Sequence, residues 1–472
     1  MIDDAIELTS LREAFTGRLL TDPSDMAPFL TDWRHRWVGR ARCVAQPETT
    51  EDVAAVMRWC AASKISIVPQ GGNTGLSGGA VPDESGQSLL LSLTRLNRIR
   101  SIDGPNNTLI AEAGCILRNV QEAAASAGKL FPLSLAAEGS CTIGGNLATN
   151  AGGTGVLRFG NARDLCLGLE VVTPSGIVWD GLRCLRKNNS GYDLRDLFIG
   201  AEGTLGVITA AVLRLHAKPK GRAVAFLAIR SVQDAIELLD LARDTLDSRL
   251  TAFELESHTC LEFVLKHHPT HRSPLEGSYP WYVLVEVSDP TSHQNAESGL
   301  NELLALAFEG GMTADGVVAG SIAQADSLWS LRENVSESQS REGPAIKHDI
   351  SLPISRLAEF IETTSKAIET RWSNVRLVVF GHAGDGNLHF NLSPAIGADR
   401  GSFLAAESEI NRLVHDAVHS AGGSISAEHG LGILRRDEAA RYKSTVELEL
   451  LRAIKHAIDP HGLMNPGKVL AT

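Results

Sequence analysis

The chain has 472 residues, enough for roughly two to four domains, and its 43% hydrophobic and 21% charged content excludes disordered, collagen-like and coiled-coil classes. Its net charge of −12, from 44 basic and 56 acidic side chains, disfavours nonspecific binding to nucleic acid or anionic membrane. An anionic substrate therefore needs a local basic site.

In chain order, residues 49–60 predict a helix: Thr49 or Thr50 can cap it, and Val53, Val56, Met57 and Cys60 recur at helical spacing. An apolar strand at 65–69 leads into Gly71-Gly-Asn-Thr-Gly-Leu-Ser-Gly-Gly79, five glycines in nine residues. A strand at 89–93, a hairpin over 96–103 and 108–113, and a helix from Ile116 to Ala127 follow. Residues 139–160 form a second glycine-dense stretch, a hairpin spans 167–179, and Gly200-Ala-Glu-Gly-Thr-Leu-Gly206 precedes the apolar run 207–215. Lys218-Pro-Lys-Gly221 marks a boundary where glycine density falls. Beyond it a strand (223–229), a helix (232–246), an alternating strand through Trp281, Val283, Val285 and Val287, and a helix (296–308) predict a second α+β domain.

The seven cysteines are odd in number and contain no C-x-x-C pair, against a disulfide framework or thiolate zinc site. The acidic start Met1-Ile-Asp-Asp resembles no leader, and no apolar run approaches the roughly 20 residues of a membrane span, so a cytoplasmic protein is expected.

Glycine clusters after strands let backbone N–H groups approach an anion where a Cβ would obstruct. Neither G-x-x-x-x-G-K-[ST] nor a helix-opening G-x-G-x-x-G occurs, which disfavours P-loop and Rossmann enzymes. Taken in order, Pro69-Gln-Gly-Gly-Asn-Thr-Gly-Leu-Ser-Gly-Gly79, the 139–153 segment and Phe198-Ile-Gly-Ala-Glu-Gly-Thr-Leu-Gly-Val-Ile-Thr209 resemble the flavin domain of the vanillyl-alcohol-oxidase/PCMH superfamily. The resemblance implies an α+β fold: an FAD domain with N-terminal helices (1–218), an α+β substrate or cap domain with a metal site (219–440), and a helical segment (441–472) returning to the flavin. It implies FAD contacts at Gln70, Gly71, Gly72, Asn73, Thr74, Gly75, Leu76 and Ser77. Further contacts fall on Gly139, Ser140, Thr142, Gly144, Gly145, Asn146, Asn150 and Gly152, and on Glu202, Gly203, Ile208 and Asn465. The first loop contains no histidine, so noncovalent FAD is expected.

In the C-terminal half, Phe380-Gly-His-Ala-Gly-Asp-Gly-Asn-Leu-His-Phe-Asn-Leu392 brings three candidate ligands together, and a strand at 388–392 would put His389 and Asn391 on one face. Ser424-Ile-Ser-Ala-Glu-His-Gly-Leu-Gly432 adds Glu428 and His429. Two imidazoles and a carboxylate suit zinc or a similar divalent ion acting as Lewis acid. Both motifs resemble the C-terminal domain of FAD-linked 2-hydroxyacid dehydrogenases, which implies His382, His389 and Glu428 as metal ligands. His429 is the candidate general base. Asp385, between glycines, is the rival carboxylate and suits a turn.

Residues 328–336 predict a helix with Arg332 and Ser336 four apart, and Lys347 follows in an alternating stretch. An arginine fork and a lysine can together hold a carboxylate. This stretch, with P-Q-G-G-N-T-G, resembles the D-2-hydroxyglutarate dehydrogenase branch. There Arg332, Ser336 and Lys347 would bind the distal carboxylate and Asn391 the near one, with hydride transfer to flavin N5. Ser336 stands where the branch has threonine. The partners implied are a small 2-hydroxy acid and an electron acceptor, an electron-transfer flavoprotein or the quinone pool. No nucleic acid and no membrane span are implied, and a homodimer is the candidate assembly. Three rivals stay open: a dehydrogenase of D-lactate or another D-2-hydroxy acid, a zinc hydrolase without flavin, and a flavin-binding protein without redox turnover.

Overall fold

The structure, a computed structural model, describes residues 2–471, with side chains from Leu8 onward. The chain divides into two compact units. One comprises Met1–Gly152, Phe159–Ala217 and Glu428–Thr472, the other Gly153–Arg158 and Lys218–Ala427.

The first unit is built on two main sheets. Arg18–Leu20, Cys43–Gln46, Leu89–Ser92 and Ile67–Gln70 lie side by side, the last three parallel. An antiparallel sheet of five strands runs in the order Ile99–Asp103, Thr108–Glu112, Val207–Arg214, Cys166–Val172, Val178–Gly181. The helix Thr50–Ser63 begins where Thr49 accepts the Asp52 N–H and stops at Lys64, in the left-handed region. Val53, Val56, Met57 and Cys60 on its inner face are fully buried, each apolar side chain contributing about 1.5–3 kcal/mol relative to exposure.

The first unit also takes residues 428–440, which the sequence placed in the substrate domain. The reason is local hydrogen bonding: Leu431 and Gly432 donate their N–H groups to the Glu202 carboxylate at 2.7 and 2.9 Å, and Ile433 donates to the Ser77 carbonyl at 2.9 Å. Farther on, residues 463–465 are tied to the strand Ile67–Gln70, the Ile67 N–H donating to Leu463 O and the Asn465 N–H to Ile67 O. In return Gly153–Arg158 joins the second unit, where Arg158 donates to the Ser288 carbonyl at 3.1 Å.

The second unit is a seven-stranded antiparallel sheet in the order Asp315–Val318, Gly221–Ile229, Trp281–Asp289, Leu250–Ser257, Val375–Gly381, Asn387–Pro394, Asp349–Ser351. Its helices Val232–Leu246, His293–Glu309 and Ile322–Glu333 each start at a serine, Ser231, Ser292 or Ser321, that accepts the N–H three residues on. Such caps contribute about 1 kcal/mol each. The strand Leu250–Ser257 is absent from the predicted elements, yet it is central. Its Glu254 and Glu256 suggest a solvent face, but both carboxylates are buried.

Candidate active site

In the first unit the three glycine segments converge on an open cleft of about 940 Å³, part of it open to solvent. Gln70, Gly71, Gly72, Asn73, Thr74, Gly75, Ser77, Thr142, Gly144, Gly145, Asn146, Glu202, Gly203 and Ile208 line it, and so does His429. Leu76, Gly139, Ser140, Asn150, Gly152 and Asn465 stand outside its wall. Leu93, Phe198 and Val207 supply apolar wall that sequence reasoning missed, because apolar residues in and beside strands read as core.

Several polar side chains among these residues hold the loops together. Gln70, 2% exposed, donates to the carbonyls of Phe29 and Ala80 at 2.9 Å each. Asn73 donates to Thr31 O at 2.8 Å, and the Asn150 carbonyl oxygen accepts the Arg163 N–H. Burial pushes the Glu202 carboxyl up, against the pull of the Leu431 and Gly432 N–H groups it accepts. Asn465 donates to Gly79 O at 3.0 Å and Glu202 O at 2.7 Å, fastening the first and third glycine loops from outside the wall. Ser77 donates to the backbone carbonyls of His429 and Gly430 at 3.2 Å, which sets His429 at the cleft.

The cleft fits a flavin dinucleotide on two observations. A Cβ at Gly72 would lie 2.1 Å from the Ser140 carbonyl, and one at Gly144 would lie 2.6 Å from Ala113 Cβ, so these walls close only around glycine. Thr142 Oγ1 and Asn146 Nδ2 are buried without a hydrogen-bond partner among the described residues. Such orphans cost about 1–3 kcal/mol each and call for a polar ligand.

In the second unit the chemistry lies on one face of the sheet. Register places Glu256 opposite Phe380, Phe380 opposite His389, and His389 opposite Asp349. Strand alternation adds Glu254, His382, Asn391 and Lys347 to that face, Lys347 falling opposite Asn391 between the paired Ile346–Leu392 and Asp349–His389. The His382 and His389 ring centroids are 6.1 Å apart, and Asp349 lies 3.9 Å from His389 Nδ1. His382 Nδ1 is 2.7 Å from Glu254 Oε1. Metal-binding histidines commonly donate their second ring N–H to a carboxylate in this way, so the two rings fit a divalent ion. Ala427 closes the unit by donating its N–H to Asp349 O at 3.2 Å, so the chain leaves this unit at that aspartate with Glu428 as its next residue.

Arg332, 7% exposed, donates from Nε to Glu254 Oε2 at 2.8 Å and stacks over Phe380 at 4.8 Å. Its Nη atoms have no hydrogen-bond partner among the described residues. Burial pushes Glu254 up, but the charges of His382 and Arg332 outweigh it and hold the carboxyl at about 2. Glu256 differs. Burial raises it to about 7 against the pull of Arg332, with the Glu254 charge adding to the rise, and neither of its oxygens has a hydrogen-bond partner among the described residues.

The predicted helix over 328–336 is interrupted at Asn334, where Ile322–Glu333 gives way to Val335–Glu342. Ser336 is exposed while Arg332 is buried, so the two lie in successive helices and differ in environment. Lys347 is half-buried. Asn391 accepts the His348 N–H at Oδ1 and donates to Gln339 Oε1, which leaves one amide N–H for a ligand. Asp385 accepts the Asn387 N–H within its turn, in keeping with a turn-forming role. Glu254, Asp349 and Gln339 escaped sequence reasoning. An alternating Glu-x-Glu in a strand was the one available signal for Glu254.

Residues 41–181 match the family described as FAD binding domain, and residues 218–469 the family described as FAD linked oxidases, C-terminal domain. A D-2-hydroxyglutarate dehydrogenase of Xanthomonas citri pv. viticola is 40% identical over 466 residues, covering 98% of this chain and 97% of the relative. A mitochondrial D-2-hydroxyglutarate dehydrogenase of Bos taurus is 38% identical over 468 residues, covering 99% of this chain and 84% of the relative. Among solved structures, p-cresol methylhydroxylase superposes with a TM-score of 0.77 at 16% identity, over 98% of this chain and 96% of its own, a likeness of fold.

These matches set aside the flavin-free hydrolase. They also overturn the expected cytoplasmic location, because relatives such as the Bos taurus enzyme are named mitochondrial. Cysteine usage and the lack of a long apolar run describe the folded body and are compatible with either compartment, so they could not decide it. The structure has no helix long and apolar enough to cross a membrane among its described residues. By sequence, fold and cleft, the chain belongs to the FAD-linked oxidase family and is similar to its D-2-hydroxyglutarate dehydrogenases.

Proposed function

We propose that this enzyme oxidises D-2-hydroxyglutarate to 2-oxoglutarate in a flavin- and metal-dependent reaction. The observation that carries the reading is the single sheet face holding His382, His389, Asn391 and Lys347, with Arg332 stacked on its Phe380, in a chain of net charge −12. Lys347 and the Nη groups of Arg332 are cations suited to a carboxylate, Glu254 on the same face being taken up by Arg332 Nε and His382, and the names of the relatives point to a D-2-hydroxy diacid. Bound FAD supplies the two-electron acceptor, and a divalent ion, zinc being suited to two imidazoles and a carboxylate, supplies a Lewis acid.

His382, His389 and Glu428 hold that ion. Support comes from the carboxylate behind His382, from Asp349 beside His389, and from the backbone bond that brings residue 427 to Asp349. His429, on the wall of the flavin cleft, takes the proton of the C2 hydroxyl as general base. The Arg332 Nη atoms, the exposed Ser336 hydroxyl and the Lys347 ammonium hold the distal carboxylate, and the remaining Asn391 N–H meets the near one. Holding the remote end orients C2 for reaction.

The test is anaerobic bleaching of the flavin's visible absorbance by D- and L-2-hydroxyglutarate and by D-lactate. Rapid bleaching by the D-diacid, with a Lys347→Ala variant losing about 10- to 100-fold in kcat/KM for the diacid and little for D-lactate, is expected. Equal rates with D-lactate, or a Lys347→Ala enzyme unchanged on the diacid, would refute the distal-carboxylate assignment. Dialysis against a chelator should abolish turnover and added Zn2+ should restore it, while unaffected turnover removes the metal from the reaction.

A further inference from the structure

One carboxylate in the second unit touches both ends of the proposed site. Glu254 Oε1 accepts from His382 Nδ1 at 2.7 Å, and Glu254 Oε2 accepts from Arg332 Nε at 2.8 Å. The side chain is about 1% exposed and stands on a central strand, clamped between Trp281–Asp289 and Val375–Gly381. It has little freedom to follow one partner without moving the other.

We propose that Glu254 is a positioning residue that couples the metal end of the site to its carboxylate-binding end. The inference rests on the reading above, in which His382 binds the ion and Arg332 the substrate. By accepting from Nδ1, Glu254 fixes the imidazole tautomer and turns Nε2 outward as the lone-pair donor. By accepting from Nε, it holds the guanidinium over the Phe380 ring and leaves the two Nη groups, the half of the fork suited to a carboxylate, for a ligand.

Charge balance alone does not account for this arrangement. Glu256 lies two residues along the same face and is equally buried, yet neither of its oxygens has a hydrogen-bond partner among the described residues. Of two carboxylates near one arginine, only Glu254 is built into contacts on both sides. A ligand at either end therefore reaches the other through two short hydrogen bonds to one rigid group, and coupling of this kind is reciprocal.

The experiment uses the full-length, flavin-loaded protein stripped of metal and titrated with Zn2+ by chelator competition, alongside steady-state kinetics of the metal-restored enzyme. Glu254→Gln keeps the shape but weakens acceptance from both partners. Zinc affinity should fall about 10- to 100-fold, and KM for the diacid should rise while flavin content stays at wild-type level. A purely structural role would lower flavin content and thermal stability together and leave zinc affinity alone. As a second variant, Glu254→Leu/Arg332→Leu replaces the buried pair by apolar groups that tolerate the interior, and its zinc affinity should remain low. Wild-type zinc affinity in either variant overturns the proposal and leaves the metal assignment standing. A wild type that binds no Zn2+ sinks the metal assignment and the proposal together.

Discussion

The flavin cleft of the first unit and the charged sheet face of the second meet ligands by opposite means. The cleft is lined largely by glycines, and Gln70, Asn73 and Glu202 turn their side chains to other loops. The sheet face instead presents long polar side chains fixed by strand alternation, Glu254, Glu256, Lys347, His389 and Asn391 among them. A cofactor held by backbone is sensitive to added atoms. A substrate and an ion held by side chains are sensitive to removed ones.

The largest effect is expected at His429, a side-chain function set in the glycine-rich cleft. His429→Ala should lower kcat by about 100- to 10,000-fold with flavin content unchanged. If flavin is lost instead, the histidine belongs to the cofactor site and the division between the regions fails there.

Next comes Glu256 on the sheet face, whose carboxyl is raised from the ordinary range to about 7, first by burial and then by Glu254. Because the folded state holds this proton more tightly than the unfolded chain, the stability linked to it is full below the ordinary carboxylate pKa of about 4.3. It is lost as pH rises through about 7. Glu256→Gln should thus match wild type in thermal unfolding near pH 4 and exceed it by about 3 kcal/mol near pH 8. A gain of the same size at both pH values would show that the carboxylate is not the cause.

The smallest effects test the cleft. Gly72→Ala forces a methyl onto the Ser140 carbonyl and should cost about 1–3 kcal/mol, read as weaker FAD binding and a lower melting temperature. Gly104→Ala, which meets nothing within 4 Å, should lie within about 0.5 kcal/mol of wild type in both measurements. Equal losses at the two glycines would mean that close approach is not what the cleft glycines provide.

Much of the first unit was legible in the sequence because its determinants are local. The Thr49 cap, the hairpin over 99–112 and the strand opening at Val207 fall within a few residues of their predicted places. Glycine runs likewise announce close approach, since only glycine permits it. The site of the second unit was legible only in pieces. His382, His389 and Lys347 stood out by motif and charge, but Glu254 and Asp349 were invisible. A carboxylate on an alternating strand reads as solvent-facing until its neighbours are known. Here the neighbouring strands cover it, and Arg332 and His382 neutralise it.

Sequence alone therefore determined the positions of the glycine loops and of the two histidine motifs, and through them the resemblance to a flavin domain. These depend on residue type and short-range spacing. Tertiary structure alone decided that residues 428–440 join the first unit, that Glu202 and Asn465 bind loops to one another, and that one buried glutamate contacts both His382 and Arg332. Each of those rests on hydrogen bonds between segments far apart in the chain, and no local pattern encodes which distant partner a buried polar group will find.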